Sequence, residues 1–165
     1  LTAEFNLDSD LLATKVFDFQ NLSSDSGLYI NDTTGLLDFY DSGGTTIATG
    51  PATATTGTYT QIVLTRNGVT NEVTVYENGT LDFQFDDSTG LAILGDATNT
   101  GNAYLTAFKD DGTGFGGGLL DETSVGAIAN LSLYDGVVPE PVSSSLMLMS
   151  GMLLLRRSRR LASND

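Results

Sequence analysis

Apolar and polar residues alternate along this chain in short runs, and Gly, Asn, Asp, Ser or Thr interrupts each run before it reaches helical length. The runs occupy residues 1–7, 15–19, 27–30, 36–40, 59–65, 72–76, 80–85, 91–94, 104–108 and 127–134. Successive side chains of a strand point to opposite faces, so the pattern predicts about ten short strands, each with one dry and one wet side. In the clearest run Leu81, Phe83 and Phe85 are expected on the dry face, with Asp82, Gln84 and Asp86 on the wet one. Asn78-Gly79 precedes it, and both residues tolerate the positive φ of a two-residue hairpin turn, so 72–76 and 80–85 should pair.

The 165 residues, 40% of them hydrophobic, supply one core rather than two. Nineteen glycines among abundant Thr, Ser, Asn and Asp favour many turns. Residues 41–58 and 110–118 are small and polar with little to bury, and read as loops. No fixed-period repeat is present, which argues against a propeller or solenoid. The expected fold is therefore all-β, an antiparallel sandwich over residues 1–137. Residues 1–7 already alternate like a strand and lack a basic and apolar leader, so a signal peptide and one or two opening strands are expected upstream.

Charge narrows the function classes. Up to residue 138 the cations are Lys15, Arg66 and Lys109, three against 19 acids, which leaves that part at −16. Such a surface repels phosphate backbones and argues against nucleic acid as a partner. With no Cys there is neither a disulfide framework nor thiolate chemistry, and with no His the commonest general base and zinc ligand is missing. Gly116-Gly117-Gly118 is not followed by Lys-Ser/Thr and is no phosphate cradle. The sequons at Asn21, Asn31, Asn78 and Asn130 read as chance in a Ser- and Thr-rich chain.

Asp86, Asp87, Asp110 and Asp111 fall at strand ends beside glycine-containing loops, where hard oxygen ligands suit calcium. Ordinary solvated turn acids give the same pattern, and no EF-hand spacing is present. Calcium is the one cofactor the sequence raises. Tyr29, Tyr40, Tyr59 and Tyr104 can stack on sugar rings or serve as core and edge residues. A glycosidase needs two carboxyls about 5–9 Å apart across the scissile bond, and the adjacent Asp121-Glu122 would face opposite ways on a strand. No catalytic residue is assigned.

After Gly136 the composition changes. Pro139-Glu140-Pro141 prevents strand continuation, residues 142–155 form a Leu/Met-rich run expected to be helical, and Arg156, Arg157, Arg159 and Arg160 follow. The run can enter lipid with its arginines held on the cytoplasmic side. Fourteen helical residues span roughly 21 Å at about 1.5 Å each, short of a hydrocarbon core of about 30 Å, so thinning or arginine snorkelling must cover the difference. Residues 138–165 are thus expected to be a separate anchoring tail.

In order, spacing and position this tail resembles the PEP-CTERM sorting signal of exopolysaccharide-producing Gram-negative bacteria. The resemblance implies cutting near Pro139-Glu140-Pro141 by an exosortase-like enzyme, a transient inner-membrane stage, and delivery to the outer surface or extracellular matrix. The body resembles the laminin G-like, or concanavalin A-like, jelly-roll sandwich. The matching segments are Lys15-Val16-Phe17-Asp18-Phe19, Asp25-Ser26-Gly27-Leu28-Tyr29, Ile62-Val63-Leu64-Thr65-Arg66, Val75-Tyr76-Glu77-Asn78-Gly79, Phe108-Lys109-Asp110-Asp111 and 126–135. That family holds both carbohydrate binders and glucanases, and the Glu-x-Asp-x-x-Glu strand of the glucanases is absent here. The expectation is a non-catalytic surface or matrix protein for adhesion or polysaccharide association. A glucanase-like enzyme and a calcium-dependent lectin are the alternatives.

Overall fold

The computed structural model describes residues 1–7, 14–22, 24–31, 34–94, 104–109 and 126–134. The chain divides into two units, Leu1–Leu133 and Tyr134–Asp165, and the fold described is that of the first. The 110–118 loop, Asp110, Asp111, Asp121, Glu122, the Pro-Glu-Pro motif, the expected helix at 142–155 and the arginine cluster lie outside the described residues. Among the described residues no helix is long and apolar enough to cross a membrane.

Ten strands are described: β1 (Thr2–Leu7), β2 (Thr14–Asp18), β3 (Gly27–Ile30), β4 (Leu36–Tyr40), β5 (Thr46–Thr53), β6 (Thr60–Arg66), β7 (Glu72–Glu77), β8 (Thr80–Asp86), β9 (Thr106–Ala107) and β10 (Gly126–Ser132). They form two five-stranded sheets with orders β10-β1-β6-β7-β8 and β5-β4-β3-β2-β9. Every described pairing is antiparallel. The all-β sandwich expected from the alternation is the architecture observed.

The core follows from period two. One face of the first sheet contributes Ala3, Phe5, Leu7, Ile62, Leu64, Val73, Val75 and Phe83, and the second contributes Phe17, Leu28, Ile30, Leu37 and Phe39. Register aligns Phe17, Leu28, Phe39 and Ala48 across β2, β3, β4 and β5, a continuous apolar row. Phe39 links the layers, its ring 6.0 Å from that of Phe19 and 4.7 Å from that of Phe85 on β8. Gly27 lets β3 approach β2, because a β-carbon there would lie 2.5 Å from the Phe17 carbonyl oxygen and its φ is +151°.

The Asn78-Gly79 turn has φ of 49° and 79°, and Glu77 pairs with Thr80 across it. Three expectations fail, each for a physical reason. Residues 41–58 are not all loop: β5 runs through them as an edge strand, its Thr and Ala residues largely exposed, with Gly50 and Pro51 where its register against β4 shifts. A strand with so little to bury leaves no apolar alternation to read. Residues 91–94 form turns instead of a strand, because the Asp87 carboxylate accepts from the amides of Leu91 and Ala92. In β8 a bulge opposite Val75 and Tyr76 inverts the alternation, so Leu81 is 48% exposed and Asp82 is turned inward at 8%.

Phe39→Ala should lower the unfolding free energy by about 3–5 kcal/mol, measured by urea denaturation, because the cavity opens between the layers. A loss below about 1 kcal/mol would show that the two sheets do not depend on this contact.

Candidate functional site

The face of the second sheet turned away from the core is polar and aromatic, and in β2, β3 and β4 it is buried too, against the expectation of one wet side per strand. Register places Lys15, Tyr29, Asp38 and Thr49 in one row across β2, β3, β4 and β5. This row lies back to back with the apolar one, since each member precedes or follows a core residue. Tyr40, two residues beyond Asp38, meets Tyr29 edge to face with centroids 4.9 Å apart. The Lys15 ammonium sits 5.4 Å from the centre of the Tyr29 ring. Lys15 and Tyr29 are fully buried, Asp38 nearly so, and Asn31 at the end of β3 is partly open.

Lys15 and Asp18 form a structural node within this face. Lys15 Nζ donates to Asp18 Oδ2 at 2.8 Å and to the Ser24 carbonyl at 3.0 Å. Asp18 Oδ1 accepts from the amides of Gln20 and Leu22, which holds a turn where Asn21 and Leu22 both have positive φ. The pair fixes the β2–β3 connection.

Asp38 has capacity left over. Its Oδ2 accepts from Asn31 Nδ2 at 3.0 Å and from the Tyr40 hydroxyl at 3.1 Å, whereas its Oδ1 is buried with no hydrogen-bond partner among the described residues. Burial raises the Tyr40 phenol above the ordinary tyrosine value; a hydrogen bond with Thr46 opposes this and the Asp38 charge adds to it. A buried carboxylate oxygen without a donor is costly. A water hydroxyl would satisfy it, but with Tyr29 and Asp38 buried and Tyr40 8% exposed the rings present no open face to a polysaccharide.

A second acidic pair was not legible as a site. Glu77 continues the Val73-Val75 alternation onto the core face at 3% exposure, and the β8 bulge brings Asp82 inward. Asp82 Oδ1 accepts from the Ala52 amide of β5 at 3.1 Å, and Gly50 gives its carboxylate room, because a β-carbon there would fall on it. Among the described residues Glu77 Oε2 and Asp82 Oδ2 have no hydrogen-bond partner. Burial raises the Glu77 carboxyl above its ordinary value and the Asp82 charge adds to this; burial also raises Asp82, opposed by the Ala52 amide. Both acids lie inside the sandwich edge, where a polysaccharide cannot straddle them as glycoside hydrolysis requires.

The sequence-derived calcium ligands are distributed otherwise. Asp86 is exposed at the end of β8, while Asp87 is fully buried and bound by protein donors. Arg66 Nε donates to Asp87 Oδ2 at 2.7 Å and Arg66 Nη2 to the Asp87 carbonyl at 3.0 Å. The Leu91 amide donates to Asp87 Oδ1 and that of Ala92 to Oδ2. This carboxylate organises a turn and has its acceptors filled. Among the described residues no group of three or more acidic side chains is placed to hold a metal ion. Of the other tyrosines singled out, Tyr59 and Tyr104 are about half exposed.

No protein-family model matches the chain, and no curated protein matches it. Among solved structures it is similar to that of the Ruminococcus gnavus IT-sialidase CBM40 bound to alpha2,3 sialyllactose, with a TM-score of 0.45 and 14% identity. The match covers 74% of this chain and 65% of that one. The bound sugar belongs to that protein.

Removing the cation from the Arg66–Asp87 node leaves a buried carboxylate uncompensated. Arg66→Met should therefore lower unfolding free energy by about 3–5 kcal/mol, read by urea denaturation, with 91–94 losing amide protection first. Unchanged protection there would show that the turn does not depend on this ion pair.

Proposed function

We propose that this chain is an exported, non-catalytic β-sandwich that associates with extracellular carbohydrate through exposed aromatic side chains and is sorted by its C-terminal tail. The observation that carries the binding half is the open rings of Tyr59 and Tyr104, each about half exposed and able to stack on the apolar face of a sugar. The sorting half is supported by Pro139-Glu140-Pro141 followed by the apolar run and the four arginines. Before processing, the partners are the membrane and an exosortase-like enzyme; afterwards, an extracellular polysaccharide.

Isothermal titration against the producer's own exopolysaccharide, preceded by a glycan array, tests the binding half. The double variant Tyr59→Ala/Tyr104→Ala should weaken binding at least tenfold, about 1.4 kcal/mol, while Glu72→Gln leaves it unchanged. Equal binding by the double variant and the parent, or no binding by the parent to any glycan, overturns the assignment. For the tail, the C-terminal peptide of the protein from its native host should end between residues 138 and 141, read by mass spectrometry. Recovery of an intact end at Asp165 counts against processing.

A further inference from the structure

The edge where β5 of one sheet meets β8 of the other is closed by acids with no counter-charge among the described residues. Asp82 reaches across to the Ala52 amide and rests on Gly50, and Glu77 lies beside it on the next strand. Strand β5 brings no titratable residue, and β6 brings Arg66, already bound to Asp87. On β7 and β8 the other acids, Glu72 and Asp86, are exposed at the opposite strand ends. Lys15 is paired with Asp18, and Lys109 is exposed. Two negative charges in this seam would be desolvated and would repel each other, with no cation among the described residues placed to offset them.

Two chemistries can relieve this, a divalent cation or a proton. Calcium takes six to eight oxygens, whereas here one carboxylate is already turned to a backbone N–H and no third acid among the described residues joins the group. A single proton removes one charge outright, ends the repulsion and leaves Asp82 free to accept from Ala52. We propose that Glu77 and Asp82 together retain one proton while the seam is closed, and that its loss loosens β5 from β8, making this edge of the sandwich a pH-sensitive latch.

Burial raises both carboxyls, and in Glu77 the Asp82 charge adds to this, so the folded state holds protons that the unfolded chain has released. Stability from this source is fully present below the ordinary carboxyl range and is lost as pH rises through the raised values.

The latch is tested by thermal unfolding of the full chain from pH 4.5 to 8.5, in EDTA and in 5 mM calcium chloride, for the parent, Glu77→Gln and Asp82→Asn. The parent's melting temperature should fall across this window, the fall should be at least halved in Glu77→Gln, and calcium should change neither profile. Amide exchange at Ala52 in the parent gives a second readout that needs no variant: after correction for intrinsic rate, its protection should drop at least tenfold over the same range. Parallel pH profiles for parent and Glu77→Gln, or constant protection at Ala52, overturn the proposal. So does stabilisation of the parent by calcium at pH 8 that Glu77→Gln abolishes, since a cation would then neutralise the pair.

Discussion

The contact between Phe39 and Phe85 is the interaction on which the rest of this sandwich depends. An antiparallel sheet can leave one face wet but must bury the other, and five strands apiece are stable here because the two dry faces meet. Phe39 sits at the middle of the second sheet's apolar row, stacked on Phe19 within its own layer and tilted against Phe85 of the other. Once this pairing fixes which side of β4 faces inward, period two fixes the rest. Asp38 and Tyr40 must then face outward, so the core contact also determines the position of the polar row.

That row shows how a fold can create a polar cluster without any local motif. Lys15, Tyr29 and Asp38 are adjacent only because β2, β3 and β4 pair in one register, and a slip of one residue would send all three into the core. The Lys15–Asp18 pair, anchored through Ser24, and the close approach at Gly27 both act against such a slip. Charge burial here thus serves registration and leaves Asp38 with an acceptor to spare.

Much of the fold could be read from the residues alone. Strands β3 and β4 have the boundaries that alternation predicts, and the Asn78-Gly79 turn follows from the φ preferences of its two residues. Strand β5 was hidden because an edge strand of Thr, Ala, Gly and Pro buries little and so leaves no hydrophobic pattern. The inversion at Leu81 and Asp82 was hidden because a bulge changes the face of a side chain without changing composition. Asp87 looked like a solvated turn acid because its partner Arg66 lies 21 residues away. Glu77 did leave a signal, in the spacing Val73, Val75, Glu77, which puts a carboxylate where the pattern calls for an apolar residue.

Among the described residues, all four strands that end the two sheets depart from regular pairing or length. Strand β9 has two residues, β5 breaks register near Pro51, β8 carries the Asp82 bulge, and β10 shifts against β1 beside Asn130, whose φ is 53°. A straight, unpaired strand is a template for another chain, whereas a short or kinked one offers no continuous ladder. Copies of this chain crowded together are thereby denied the backbone zipper on which cross-β fibres grow. The irregularities that obscured its strands in the sequence also protect the folded molecule from polymerising through them.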